Sequence, residues 1–225
     1  MGLVGRVGDF LRDYLSPADR LAETLCGLIM VLSFTLVAAP QVKEGPEGVR
    51  TLLLATVGCN LAWGIIDGAL FVLCAMTQRG QNLRVFNAVR AAPDEATAAR
   101  ILRRELDERL PERTPDEARD HLSRALVPVM AEIDNPPGLV TKDDLGGGLA
   151  ILSVEVLCTI PASVPFLLMR DHWLALRTSN LLLLLLLFAV GFQWGGKAIG
   201  KPWAAGLAML CAGGLLVAVA LALGG

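Results

Sequence analysis

The stretch Thr51–Met76, TLLLATVGCNLAWGIIDGALFVLCAM, runs twenty-six residues without a Lys or Arg. A segment that apolar fits a helix crossing about 30 Å of hydrocarbon, which takes roughly 17 to 25 residues. Asn60 and Asp67 interrupt it. Seven residues apart, they share one helix face, with Gly64 between them. A carboxylate deep in such a span is costly, and it is kept where it faces a bundle interior, a partner or a water-filled path. Asp67 is therefore either part of a functional path or an acid, protonated or hydrogen-bonded, that fixes packing.

Four more stretches have the same character: Leu21–Ala39, closed by Pro40, then Gly148–Met169, Ser179–Gly196 and Trp203–Leu223. The chain has 225 residues, 54% hydrophobic, with a mean hydropathy of +0.55, too apolar for an ordinary soluble domain. The expectation is an all-α polytopic membrane protein with five transmembrane helices and a helical cytosolic insert between helices two and three. Its parts are an amphipathic surface helix (1–19), transmembrane helices one and two (20–76), the insert (77–146) and helices three to five (147–225). Asp9 and Asp13 interrupt the apolar core that a signal peptide needs. Val7, Phe10, Leu11 and Tyr14 fall at helical spacing, as in a helix lying on a membrane surface and ended by Ser16 and Pro17, or in a loose amphipathic tail.

Lys and Arg counts set the orientation. With the N-terminus, the long polar segment and the loop after span four on one side, that side holds sixteen of them against four. Most of the excess comes from the long segment, which counts for less than short loops. The N-terminus and the insert are accordingly expected in the cytoplasm, and the membrane is expected to be a bacterial inner one.

The composition also narrows the functional classes. A net charge of −2 without a Lys/Arg-rich patch implies no nucleic-acid partner. Cys26, Cys59, Cys74, Cys158 and Cys211 lie within the apolar stretches and form no C-x-x-C pair, so they read as small apolar fillers. His121 and His172 lie far apart, with no Ser-His-Asp ordering and no phosphate loop, so no enzyme is expected.

In the insert, residues 77 to 92 continue span two, and Pro93-Asp94-Glu95 opens a helix to about Leu110. Thr114 is the expected N-cap of a third helix, with Pro115 in its first turn and Glu117 at the capping-box position. That helix runs to about Ile133, where Asn135-Pro136-Pro137-Gly138 stops it. Glu105, Glu108 and Glu112, with Glu117 and Asp120 nearby, form a possible site for a divalent cation. Arg103, Arg104, Arg109, Arg113, Arg119 and Arg124 are interleaved with them, as on a salt-bridged, solvated face.

Depth suggests a second site. At 1.5 Å per residue Asp67 lies about 14 Å from the cytoplasmic end of its span, Met30 about 14 Å and Glu155 about 11 Å. Two carboxylates and a thioether in one layer suit a transition metal such as ferrous iron or manganese, while Met30 is equally read as packing. Asn60 and Glu23 complete the candidate path. In TIPASVPF (Thr159–Phe166), Pro161 and Pro165 predict a bend that frees backbone carbonyls. Glycines and alanines at helical spacing in spans four and five permit close helix contact.

Five spans, a helical insert between the second and third, this Pro-x-x-x-Pro and the turn GGKAIGKPW resemble the vacuolar iron transporter family over most of the chain's architecture. The resemblance implies a homodimer that moves ferrous iron or related divalent metals against protons along a path between the first spans, with no permanently bound cofactor. It also implies an insert that collects metal through Glu and Met side chains. The chain differs from the family in two places. Where the family's first span carries Asp-Gly, an alignment on Glu23 and Gly27 places Met30 and Val31, and no Gly-Glu-Tyr motif ends the second span.

Overall fold

The computed structural model describes residues 2–37, 39–133, 138–198 and 200–223. The described residues form helices and turns, with no strand among them. Helix α1 (Leu3–Tyr14) ends where Leu15 turns extended and its N–H reaches Leu11 O at 3.1 Å. Ser16 Oγ then accepts the Asp19 N–H at 3.1 Å and Pro17 takes the first helical position, a start signal for α2 (Pro17–Val37). The Ser16-Pro17 stop expected for α1 is thus also the beginning of the first apolar helix, four residues earlier than expected.

A 3₁₀ turn, Ala39–Glu44, and Gly45, whose φ of 80° suits glycine, lead into α3 (Pro46–Arg90). Its 45 residues make one helix about 68 Å long at 1.5 Å per residue. Helix α6 (Lys142–Leu157) opens on a reciprocal cap. Thr141 N–H donates to Asp144 Oδ2 at 2.7 Å, and Asp144 N–H to Thr141 Oγ1 at 3.3 Å.

Where the third apolar stretch is expected to bend, a single turn residue, Cys158, itself in helical conformation, separates α6 from α7 (Thr159–Leu168). Pro161 has no N–H to return to Leu157 O, so the α6 ladder cannot continue through that point. Helices α8 (His172–Ala198) and α9 (Pro202–Ala222) follow. They approach closely because Gly191 and Gly195 lack side chains. A Cβ on Gly195 would overlap Ala205 Cβ.

Five stretches are long and apolar enough to cross a membrane: Pro17–Val37, Pro46–Arg90, Lys142–Leu168, His172–Ala198 and Pro202–Val219. Many of their large apolar side chains, including Leu54, Leu61, Ile65, Leu181 and Leu185, face outward, as on a surface solvated by lipid.

The chain divides into two compact units, Met1–Phe71 with Leu145–Gly225, and Val72–Asp144. The core of the first joins Leu28, Val31 and Leu32 of α2, Ile151 and Val154 of α6, and Leu183 and Leu187 of α8. Phe10, Leu11 and Tyr14 of α1 pack against it, so α1 is no loose tail.

The second unit holds the end of α3 with α4 (Glu95–Arg109) and α5 (Asp116–Glu132), closed over Val89, Ala98 and Leu102. Asp94 caps α4, accepting the Thr97 N–H at 2.7 Å. Pro115, without a side-chain cap, occupies the N-cap of α5 in place of the expected Thr114. The expected stop at Asn135-Pro136-Pro137 lies outside the described residues. Arg79 clamps Asp144 with two bonds, 2.6 and 3.0 Å. Asp107 accepts from Arg119 at 2.8 Å and from Arg103 at 2.9 Å. The Arg119 guanidinium first, then Arg103, holds its carboxyl below the usual aspartate value.

Candidate metal centre between helices α2, α3 and α6

Glycines shape the site. On α3, Asn60, Gly64 and Asp67 lie along one face, as 3.6-residue periodicity requires. On α2, Gly27 stands one turn after Glu23. The two glycines flank Glu155 of α6. A Cβ on Gly64 would meet Glu155 Cβ at 3.0 Å, and one on Gly27 would meet Glu155 Oε2 at 2.9 Å and Cys158 Sγ at 2.8 Å. Only bare backbone leaves room for a carboxylate there.

Within this pocket Glu23, Asp67 and Glu155 each bring a carboxylate oxygen within 4.8 Å of the others. Oxygens on one cation at about 2.1 to 2.6 Å stand up to roughly 4.2 to 5.2 Å apart, so a small contraction would close three ligands on a single ion. Glu155 has no exposed surface, and neither of its carboxylate oxygens has a hydrogen-bond partner.

Asn60 is also fully buried. Its amide Nδ2 donates to Glu155 O at 3.0 Å and to Gly27 O at 3.4 Å, tying α3 to both neighbours. Its Oδ1 has no partner. A buried charge without a counter-charge is strongly disfavoured, and three carboxylates at this spacing repel one another. A divalent cation, or shared protons, would satisfy both demands.

The structure therefore brings together Asp67, Glu155, Asn60 and Glu23. Met30 lies seven residues beyond Glu23 on α2, about 10 Å of helix rise away, and Gly27 is where α2 meets Glu155. No Cys or His joins the converging group among the described residues.

The five acids of the possible insert site do not converge. Glu105 is bound by Arg109 at 2.8 Å and Asp120 by Arg103 at 2.8 Å, while Glu108, Glu112 and Glu117 are exposed. Arg109 lies one helical turn after Glu105 and takes its carboxylate. Sequence reasoning used Gly27 only as an alignment point, although its placement four residues after an acid was a readable sign of close helix approach.

No protein-family model matches the chain, nor does any curated protein.

Proposed function

We propose that this chain is a membrane transporter of a divalent transition metal, ferrous iron or manganese, coupled to protons. The convergence of Glu23, Asp67 and Glu155, with unpartnered carboxylate oxygens on a fully buried Glu155, carries the proposal. An all-oxygen donor set suits manganese, as it does magnesium and calcium. Displacing shared protons when the metal enters would couple the two fluxes.

In this proposal the chain belongs with the vacuolar iron transporters as a divergent relative. The Val72–Asp144 unit is cytosolic, the N-terminus lies on the same side, and the protein works as a homodimer in a bacterial inner membrane. Uptake of Fe²⁺ or Mn²⁺ into proteoliposomes, with and without a proton gradient, tests it. Wild-type protein that moves neither ion under either condition would sink it.

One observation favours a second reading, a non-transporting scaffold whose polar unit binds a protein. Leu122 and Val129, seven apart on one face of α5, are 41% and 53% exposed. Stabilisation of the purified protein by Mn²⁺ separates the two, because only a ligand of the folded state raises its apparent stability.

A further inference from the structure

The arginines of the Val72–Asp144 unit fall into two groups. Arg79, Arg103, Arg109 and Arg119 are each ion-paired with a carboxylate. Arg84, Arg90, Arg100, Arg104, Arg113 and Arg124 have no ion-paired carboxylate among the described residues, and of these Arg84, Arg100 and Arg104 stand together. These three line a single groove between the end of α3 and the length of α4.

Gathering them is unfavourable. Arg100 and Arg104 stand four apart on α4, where like charges repel across one turn, and Arg84 adds a third charge from α3. Two acids, Glu105 and Glu108, line the groove with them but pair with none of the three. Glu105 is taken by Arg109, and Glu108, though four residues from Arg104, makes no ion pair with it. Arg100 is held in place, since its Nη2 donates to Thr97 Oγ1 at 2.9 Å. The groove floor is apolar, with Val85 and Ile101 packed on the unit's small core. Its volume, about 520 Å³, lies in the range of small-molecule pockets.

We infer that the groove formed by Arg84, Arg100 and Arg104 binds a phosphate-bearing anion. Guanidinium forks match phosphate oxygens two at a time, and a phosphate group brings more negative charge than a single carboxylate. The same chemistry is offered by a free phosphate compound and by an anionic lipid headgroup. The Val85–Ile101 floor suits a ligand with an apolar portion beside its phosphate. The site is separate from the metal centre and stands without it.

The test uses the full-length protein. Pyrophosphate is titrated calorimetrically into detergent-solubilised wild type, Arg84→Gln/Arg100→Gln/Arg104→Gln and Arg113→Gln, whose arginine is exposed and outside the groove. Saturable binding that weakens at least about tenfold in the triple variant and is unchanged in Arg113→Gln is expected. In a second arm, amide exchange of α4 is compared in phosphatidylcholine nanodiscs with and without phosphatidic acid. Protection gained only with phosphatidic acid, and lost in the triple variant, assigns the phosphate to lipid. Pyrophosphate binding without that protection assigns it to a soluble ligand. Absence of both effects in the wild type overturns the proposal, as does equal loss in Arg113→Gln. Should the triple variant lose helix by circular dichroism, Arg104→Gln alone is compared with Arg113→Gln in the same two assays.

Discussion

At the scale of single residues, Glu155 states the problem most sharply. It is a carboxyl group with no exposed surface, hydrogen-bonded through its backbone but not through its side chain. Asp67 is less enclosed and shares the site. Asn is nearly isosteric with Asp but cannot ionise, so Asp67→Asn separates charge from shape. Losing an outer-shell partner already costs roughly 10- to 100-fold in metal affinity. Losing a ligand charge should reduce Mn²⁺ affinity and flux by no less, while the helical circular dichroism stays as in wild type. Unchanged flux in a folded Asp67→Asn protein would remove Asp67 from the mechanism.

Gly27→Ala probes the cradle instead. Ala is favoured over Gly in a helix by about 0.8–1 kcal/mol, whereas overpacking a tight site costs about 1–3 kcal/mol. With Cys158 Sγ 2.8 Å and Glu155 Oε2 2.9 Å from the new methyl, overpacking should win. Thermal melts should then show destabilisation by up to about 2 kcal/mol, together with weaker Mn²⁺ binding. A stabilised variant with unaltered binding would show that the glycine is incidental.

At the scale of elements, the long apolar helices were legible because hydrophobic length identifies them, and the Asn60–Asp67 face because a helix repeats every 3.6 residues. Helix ends were harder. Pro17 begins α2 four residues before the apolar run does, and Cys158 divides the third stretch. The insert acids were ambiguous for a different reason. Glu and Arg alternate along the helices, and which carboxylate meets which guanidinium depends on how α4 packs on α5. Asp107 shows the outcome, bound by Arg103 from its own helix and Arg119 from the next.

Because its folded carboxyl lies below the ordinary aspartate value, Asp107 contributes stability that is complete above the unfolded pKa of about 3.9. That contribution disappears as the pH falls through the lower, folded value. Helical circular dichroism of wild type should therefore fall more steeply below about pH 4 than that of Asp107→Asn. Matching acid transitions would refute this role.

At the scale of the whole molecule, the outward apolar surface leaves room for both lipid and a second copy. The proposed homodimer predicts a mass of two chains, each 23.9 kDa, in native mass spectrometry of detergent-purified protein. Only monomer across a wide concentration range would count against it.

The burial of Glu155 between α2 and α3 also bears on how the protein is made. An acid at the centre of a lone apolar helix raises its insertion cost by roughly 2.5–3.5 kcal/mol. The groups that receive α6, the bare backbones of Gly27 and Gly64 and the Asn60 amide, precede it in the chain. A ribosome would thus deliver the docking hairpin before the segment that depends on it, and translation order would act as a chaperone for one carboxylate. In a translocon assay, Lys142–Leu168 alone should insert less often than the same segment preceded by Pro17–Arg90, and Glu155→Leu should erase the difference.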